Sequence, residues 1–228
     1  MRKDTNLSMI TAVAKGLEEL LDEFVFVGGA VTELYAEDTL AAPEIRQTDD
    51  VDCIVVIATR KHYAELEEQL RAKEFANNQA MICRWDFHGI TVDIMPTNEE
   101  ILGFSNRWFS EGIMNSILYS IGNGQAIRIL SAPYFISCKL EALFDRGLRD
   151  LRLSKDLEDI VFVLNYNLKL KDIVAQSNTG VKEFIRERFS ILLGKTELRE
   201  AVFCTLPFGE NSPEYVERIL AIMKLLTR

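Results

Sequence analysis

The apolar pattern of this chain changes character near residue 130. Before that point, short runs of strand formers alternate with amphipathic stretches; after it, the spacing is helical almost throughout. Residues 5–22 place apolar side chains at helical intervals and predict an opening helix. Phe24–Val27 puts four strand formers in a row, the pattern of a strand covered on both faces. Gly28 and Gly29 follow, and residues 30–37 read as a helix with Val31 and Leu34 on one side. A loop containing Pro43 leads to a strand expected over 51–57, and Tyr63, Leu66 and Leu70 mark the buried face of a helix over 60–73. The stretch AMICRWDFHGITVDIMP alternates on both sides of His88-Gly89, which predicts two antiparallel strands joined by a short turn.

Residues 98–124 show no clear period, SIGNGQ (120–125) reads as a turn, and AIRIL (126–130) as a last strand. Pro133 suits the first turn of the helix that follows. Helices are then expected over 132–146, 155–166, 168–176, 180–193, 196–203 and 213–226, with Ser154 and Ser212 as N-caps and Pro213 at a first helical position. The boundary near 130 is a shift of composition without a flexible linker.

Composition narrows the class. Hydrophobic residues at 48% and charged residues at 27% suit a folded chain, and 228 residues suffice for one large core or two smaller ones. No apolar run approaches the roughly 20 residues that span a bilayer, and the start lacks the apolar centre of a signal peptide. Four dispersed cysteines without a CxxC pair point to reduced thiols and a cytoplasmic setting rather than to zinc or disulfides. A net charge of −9 argues against broad affinity for nucleic-acid backbone but leaves room for a local basic groove.

The chemistry concentrates in RQTDDVDCIVV, which holds Arg46, Thr48, Asp49, Asp50 and Asp52. If the strand begins at Asp50, its period of two sets Asp50 and Asp52 on one face, about 6–7 Å apart. Such a pair repels unless solvated or bridged by a cation, and oxygen ligands of this kind suit Mg²⁺. An acidic turn before a strand is the plainer alternative. Asp93 stands within the apolar run ITVDIMP, where a charge has to be paired or metal-bound. A salt bridge to Arg84 or Arg46 is its structural alternative. Glycines between a strand and a helix let another group come close to the main chain, and amides at a helix start suit an anion.

A glycine pair after a strand, R-x-T-x-D-x-D about 20 residues on, and a later V-D strand resemble the nucleotidyltransferases of the DNA polymerase β superfamily. The helical half, SAPYFISCKLEALFDRGLRDLRLSKDLEDIVFVLN, looks like the K-L-x-A-L … R … K-D-x-x-D segment of its AbiEii/AbiGii-type members, known as toxins of toxin–antitoxin pairs. The matching positions are Lys139, Arg146, Lys155, Asp156 and Asp159. The resemblance implies an α+β fold: a nucleotidyltransferase-type mixed sheet flanked by helices in a catalytic domain over 1–130, then a helical domain over 131–228 completing the nucleotide site. It implies that Asp50, Asp52 and Asp93 hold Mg²⁺ or Mn²⁺, and that Gly28, Gly29, Thr48, Lys139 and Asp156 serve the nucleotide. Read from the residues alone, Lys139 lies beside an apolar face where it can bury its stem and present its ammonium to a cleft. Asp156 and Asp159 share a helical face, and Asp156 can equally serve to compensate a helix dipole.

The function so implied is transfer of a nucleoside monophosphate from an NTP to a hydroxyl of RNA, for example tRNA, or of protein, with a cognate antitoxin as partner and no membrane. The alternatives are a catalytically silent nucleotide-binding regulator and a nucleotidyltransferase acting on a small molecule such as an antibiotic.

Overall fold

The computed structural model describes residues 5–37, 45–78, 81–103, 105–122, 124–148, 150–207 and 209–228. The chain forms two compact units, one drawn from Met1–Val31 and Arg46–Ser131, the other from Thr32–Ile45 and Ala132–Arg228. The class is α+β, with a mixed sheet flanked by helices and a helical C-terminal half. Among the described residues no helix is long and apolar enough to cross a membrane.

The first unit carries a seven-stranded sheet. Its strands are β1 (Phe24–Val27), β2 (Asp50–Val55), β3 (Ala76–Asn77), β4 (Arg84–Phe87), β5 (Ile90–Pro96), β6 (Ser116–Gly122) and β7 (Gln125–Leu130), in the order β3-β4-β5-β2-β1-β7-β6. β1 lies between an antiparallel β2 and a parallel β7, so all four of its side chains are buried, as the unbroken apolar run predicts. β2 and β5 run parallel; β4 and β5 form the expected hairpin. Its two turn residues, His88 and Gly89, have φ of 52° and 85°, the positive pair that a two-residue turn matching strand twist requires. Helices α1 (Asn6–Leu17), α2 (Arg60–Ala72), α3 (Glu99–Leu102) and α4 (Phe109–Met114) complete this unit.

Three expectations change. The opening helix stops at Leu17, where Glu18 takes φ 50°, and continues as a 3₁₀ helix over Glu18–Glu23. Glu18 and Glu19 there both reach the Lys73 ammonium, at 2.7 and 2.8 Å. The helix expected over 30–37 is only a 3₁₀ turn, Thr32–Tyr35. The Ala36 N–H turns back to the Glu33 carbonyl, three residues away, and the Glu37 N–H donates to the Tyr166 carbonyl, so the chain leaves helical bonding at once. The undefined stretch 98–124 contains α3, α4 and β6. β6 is an edge strand, and its Ile117 and Leu118 are exposed, so its side chains carry no inside–outside alternation for a sequence reading to detect. Two features of the sequence reading, the Pro43 loop and Asn123 of the SIGNGQ turn, lie outside the described residues.

The second unit packs α5 (Ala132–Asp145), α6 (Lys155–Tyr166), α7 (Leu170–Gln176), α8 (Thr179–Leu193), α9 (Leu198–Thr205) and α10 (Pro213–Leu225). The Ser154 hydroxyl accepts from the Leu157 N–H at 3.2 Å, the expected cap of α6. Nearly every residue of α6 is buried, which makes it the centre of this unit.

Candidate active site

Sheet register assembles the acidic residues. β2 starts at Asp50, so its pleat sends Asp50 and Asp52 to one side while Val51 and Cys53 bury on the other. Asp52 stands directly between Val27 of β1 and Asp93 of β5. One carboxylate oxygen from each of Asp50, Asp52 and Asp93 lies within 4.8 Å of the others. Ligands on opposite sides of an octahedral Mg²⁺ are about 4 Å apart, so a modest closure of the three side chains would fit a divalent ion. Asp50 and Asp52 are half-buried, and Asp93 is 8% exposed. A hard cation with oxygen ligands is the group this donor set suits. Cys53 offers no ligand to it: burial first, then the neighbouring Asp52 and Asp93 carboxylates, push its thiol well above the usual range.

Asp93 is also paired. Arg84 stands opposite it on β4 and donates from Nε to Oδ1 at 2.8 Å and from Nη2 to Oδ2 at 2.6 Å. The same Nη2 is 3.6 Å from Asp50 Oδ2. The Asp93 hydrogen bonds raise the Arg84 pKa further, so this cation stays charged at any working pH.

The glycine turn abuts the same carboxylates. Gly28 has φ 74°, and a Cβ there would overlap the Asp52 carboxylate. At Gly29 a Cβ would come within 2.9 Å of Thr48 Cγ2 and 3.0 Å of an Arg46 guanidinium nitrogen. Gly28 therefore admits a side chain of β2, and Gly29 admits side chains of the segment before it, against the main chain, a packing reason that holds without a ligand. No α-helix starts behind them, so the helix-amide argument for an anion falls away.

Sequence reasoning missed Asn6. Its amide nitrogen donates to the Arg46 carbonyl at 3.1 Å, and its oxygen accepts from the Thr48 N–H at 3.0 Å. The Thr48 hydroxyl in turn donates to the Asp50 carbonyl at 2.9 Å. This buried clamp aims the segment that carries Thr48 into the first residue of β2. An asparagine just inside a helix gives no local signal for such a long-range role.

In the helical unit, Lys139 turns inward. Its ammonium is 2.6 Å from Asp159 and 3.6 Å from Asp156, both buried on α6, and its side chain is only 12% exposed. Arg146 pairs with Asp156 as well. The motif positions Lys139, Arg146, Asp156 and Asp159 thus meet in a single charge cluster.

No protein-family model matches this sequence, and no curated protein sequence does. Among solved structures, that of the antibiotic-resistance factor ANT(2'')-Ia is similar over 82% of this chain and 94% of its own, at 14% identity and a TM-score of 0.47.

Proposed function

We propose that this protein is a divalent-metal-dependent nucleotidyltransferase that moves a nucleoside monophosphate from an NTP to an acceptor hydroxyl. The observation that carries the proposal is the convergence of Asp50, Asp52 and Asp93 beside the Gly28 turn, on strands paired in register. Mg²⁺ or Mn²⁺ held there would offset the charge of the triphosphate and of the attacking oxygen. Asp50 and Asp52 would serve as metal ligands, with Asp93 completing the ligand set. Asp93 would take the proton of the acceptor hydroxyl as its oxygen bonds to the α-phosphorus and pyrophosphate leaves. The main chain at Gly28-Gly29 would line the triphosphate. Lys139 and Asp156 enter the proposal through the motif resemblance alone, which also favours an RNA or protein acceptor and a toxin role.

A second reading, a catalytically silent nucleotide-binding regulator, draws on the bidentate Arg84–Asp93 pair, which neutralises the proposed base. One experiment separates the readings. Melting scans with each NTP, with and without Mg²⁺, are followed by incubation with labelled NTP and tRNA, cell lysate or an aminoglycoside panel. The expected result is a Mg²⁺-dependent rise in melting temperature with at least one NTP, as for any ligand that binds only the folded state, and label in one acceptor class. A thermal shift without transfer would favour the silent regulator. No shift with any nucleotide at millimolar concentration, with or without Mg²⁺, would overturn both.

A further inference from the structure

The guanidinium of Arg84 contacts two of the three carboxylates that would hold a divalent ion. It holds both oxygens of Asp93 and approaches Asp50, bridging two of three carboxylates that have room for a cation between them. A bidentate guanidinium uses the in-plane lone pairs of the carboxylate that a metal also needs. Asp93 is nearly buried, and a buried carboxylate without a counterion is costly, so some cation is required in the metal-free protein. The Arg84 side chain is 31% exposed, which leaves its long stem an outward path to water.

We propose that Arg84 is a built-in competitor for the metal: it neutralises Asp93 and Asp50 in the metal-free protein and has to release Asp93 before a divalent ion can bind. The inference rests on the metal-site reading above. It makes Arg84 a positioning residue that sets the cation concentration at which the site fills. It also explains how two of the three converging carboxylates, Asp93 and Asp50, are held together without a metal. Removing the guanidinium should therefore tighten metal binding while weakening the metal-free fold, a combination that a purely structural salt bridge would not produce.

The test is a Mn²⁺ titration followed by electron paramagnetic resonance on wild type, Arg84→Met, Arg84→Lys and Asp52→Asn, with melting scans in EDTA and in saturating Mn²⁺. Arg84→Met is expected to bind Mn²⁺ ~10-fold more tightly, the equivalent of losing one charge-assisted pair. It should melt below wild type in EDTA and recover most of the difference in Mn²⁺. Arg84→Lys should fall between the two, because an ammonium cannot hold both oxygens in one plane. If Arg84→Met does not fold, tighter binding by Arg84→Lys decides the matter. Unchanged or weaker Mn²⁺ binding by the folded variants, with wild type binding Mn²⁺ in an Asp52-dependent way, would overturn this inference alone. Absence of Asp52-dependent Mn²⁺ binding in every protein would overturn the metal site and this inference with it.

Discussion

Gly28 condenses the residue-scale logic of the site. Its positive φ costs an L residue about 1–2 kcal/mol, and any side chain there displaces the Asp52 carboxylate. Gly28→Ala should therefore lower stability by at least that amount and weaken Mn²⁺ binding at the same time, as read from urea denaturation midpoints and a metal titration. Normal metal affinity in the folded variant would detach the glycine turn from the acidic site. The glycine pair was visible in the sequence because two glycines after a buried strand need an explanation. Its explanation was not: Asp52 lies 24 residues further along the chain, a separation that only the β1–β2 pairing closes. Asn6 and Thr48 make the same point, joined across 42 residues by bonds that no local pattern announces.

At the scale of elements, the α5–α6 contact includes a buried charge cluster. Lys139 answers Asp159, which is fully buried, so Lys139→Ala should remove the ammonium that offsets a buried carboxylate and cost about 3–5 kcal/mol. A lysine serving only a ligand would be replaceable without harm to the fold, whereas one set 2.6 Å from a buried carboxylate would not. Replacing the pair together, Lys139→Met with Asp159→Leu, should recover a large part of the loss, because an apolar pair carries no desolvation penalty. Chemical denaturation of the single and double variants measures both effects. A Lys139→Ala protein within about 0.5 kcal/mol of wild type, the usual range for surface substitutions, would show that the cluster is not a structural tie. The helix itself was legible from apolar spacing and from the Ser154 cap. The inward direction of Lys139 was not, since a lysine on the border of an apolar stripe can snorkel to water or meet a partner, and only the neighbouring helix chooses.

Over the whole molecule, buried thiols and phenols resist ionisation and so should weaken the fold at alkaline pH. Burial raises Cys53 well above its ordinary 9.0 and Tyr35 well above 10.0. A group whose folded pKa lies above the unfolded value contributes fully below the unfolded value and loses that contribution as pH rises past it. Stability should thus be flat from neutral pH to about 9 and then fall, by up to about 1.4 kcal/mol per pH unit for each such group, because the unfolded chain sheds protons that the folded chain keeps. Melting temperatures from pH 7 to 10.5 check this, and Cys53→Ala should make the decline above pH 9 shallower. An identical decline in that variant would place its cause elsewhere.

The sequence by itself determined several elements: the buried β1 run, the His88-Gly89 hairpin and the Ser154-capped α6. Each follows from periodicity, capping or turn chemistry over a few residues, where the chain's own covalent geometry does the sorting. Ser212, by contrast, precedes α10 without a side-chain cap, and the shared face of Asp50 and Asp52 hung on where β2 starts. Tertiary structure alone decided that β5 lies beside β2 in the register that sets Asp93 against Asp52, that Arg84 faces both Asp93 and Asp50, and that β6 forms an edge. Strand neighbours are chosen by burial and hydrogen bonding across the whole sheet, and shifting β5 by one residue would have turned Asp93 to the opposite face with the same sequence and the same local preferences.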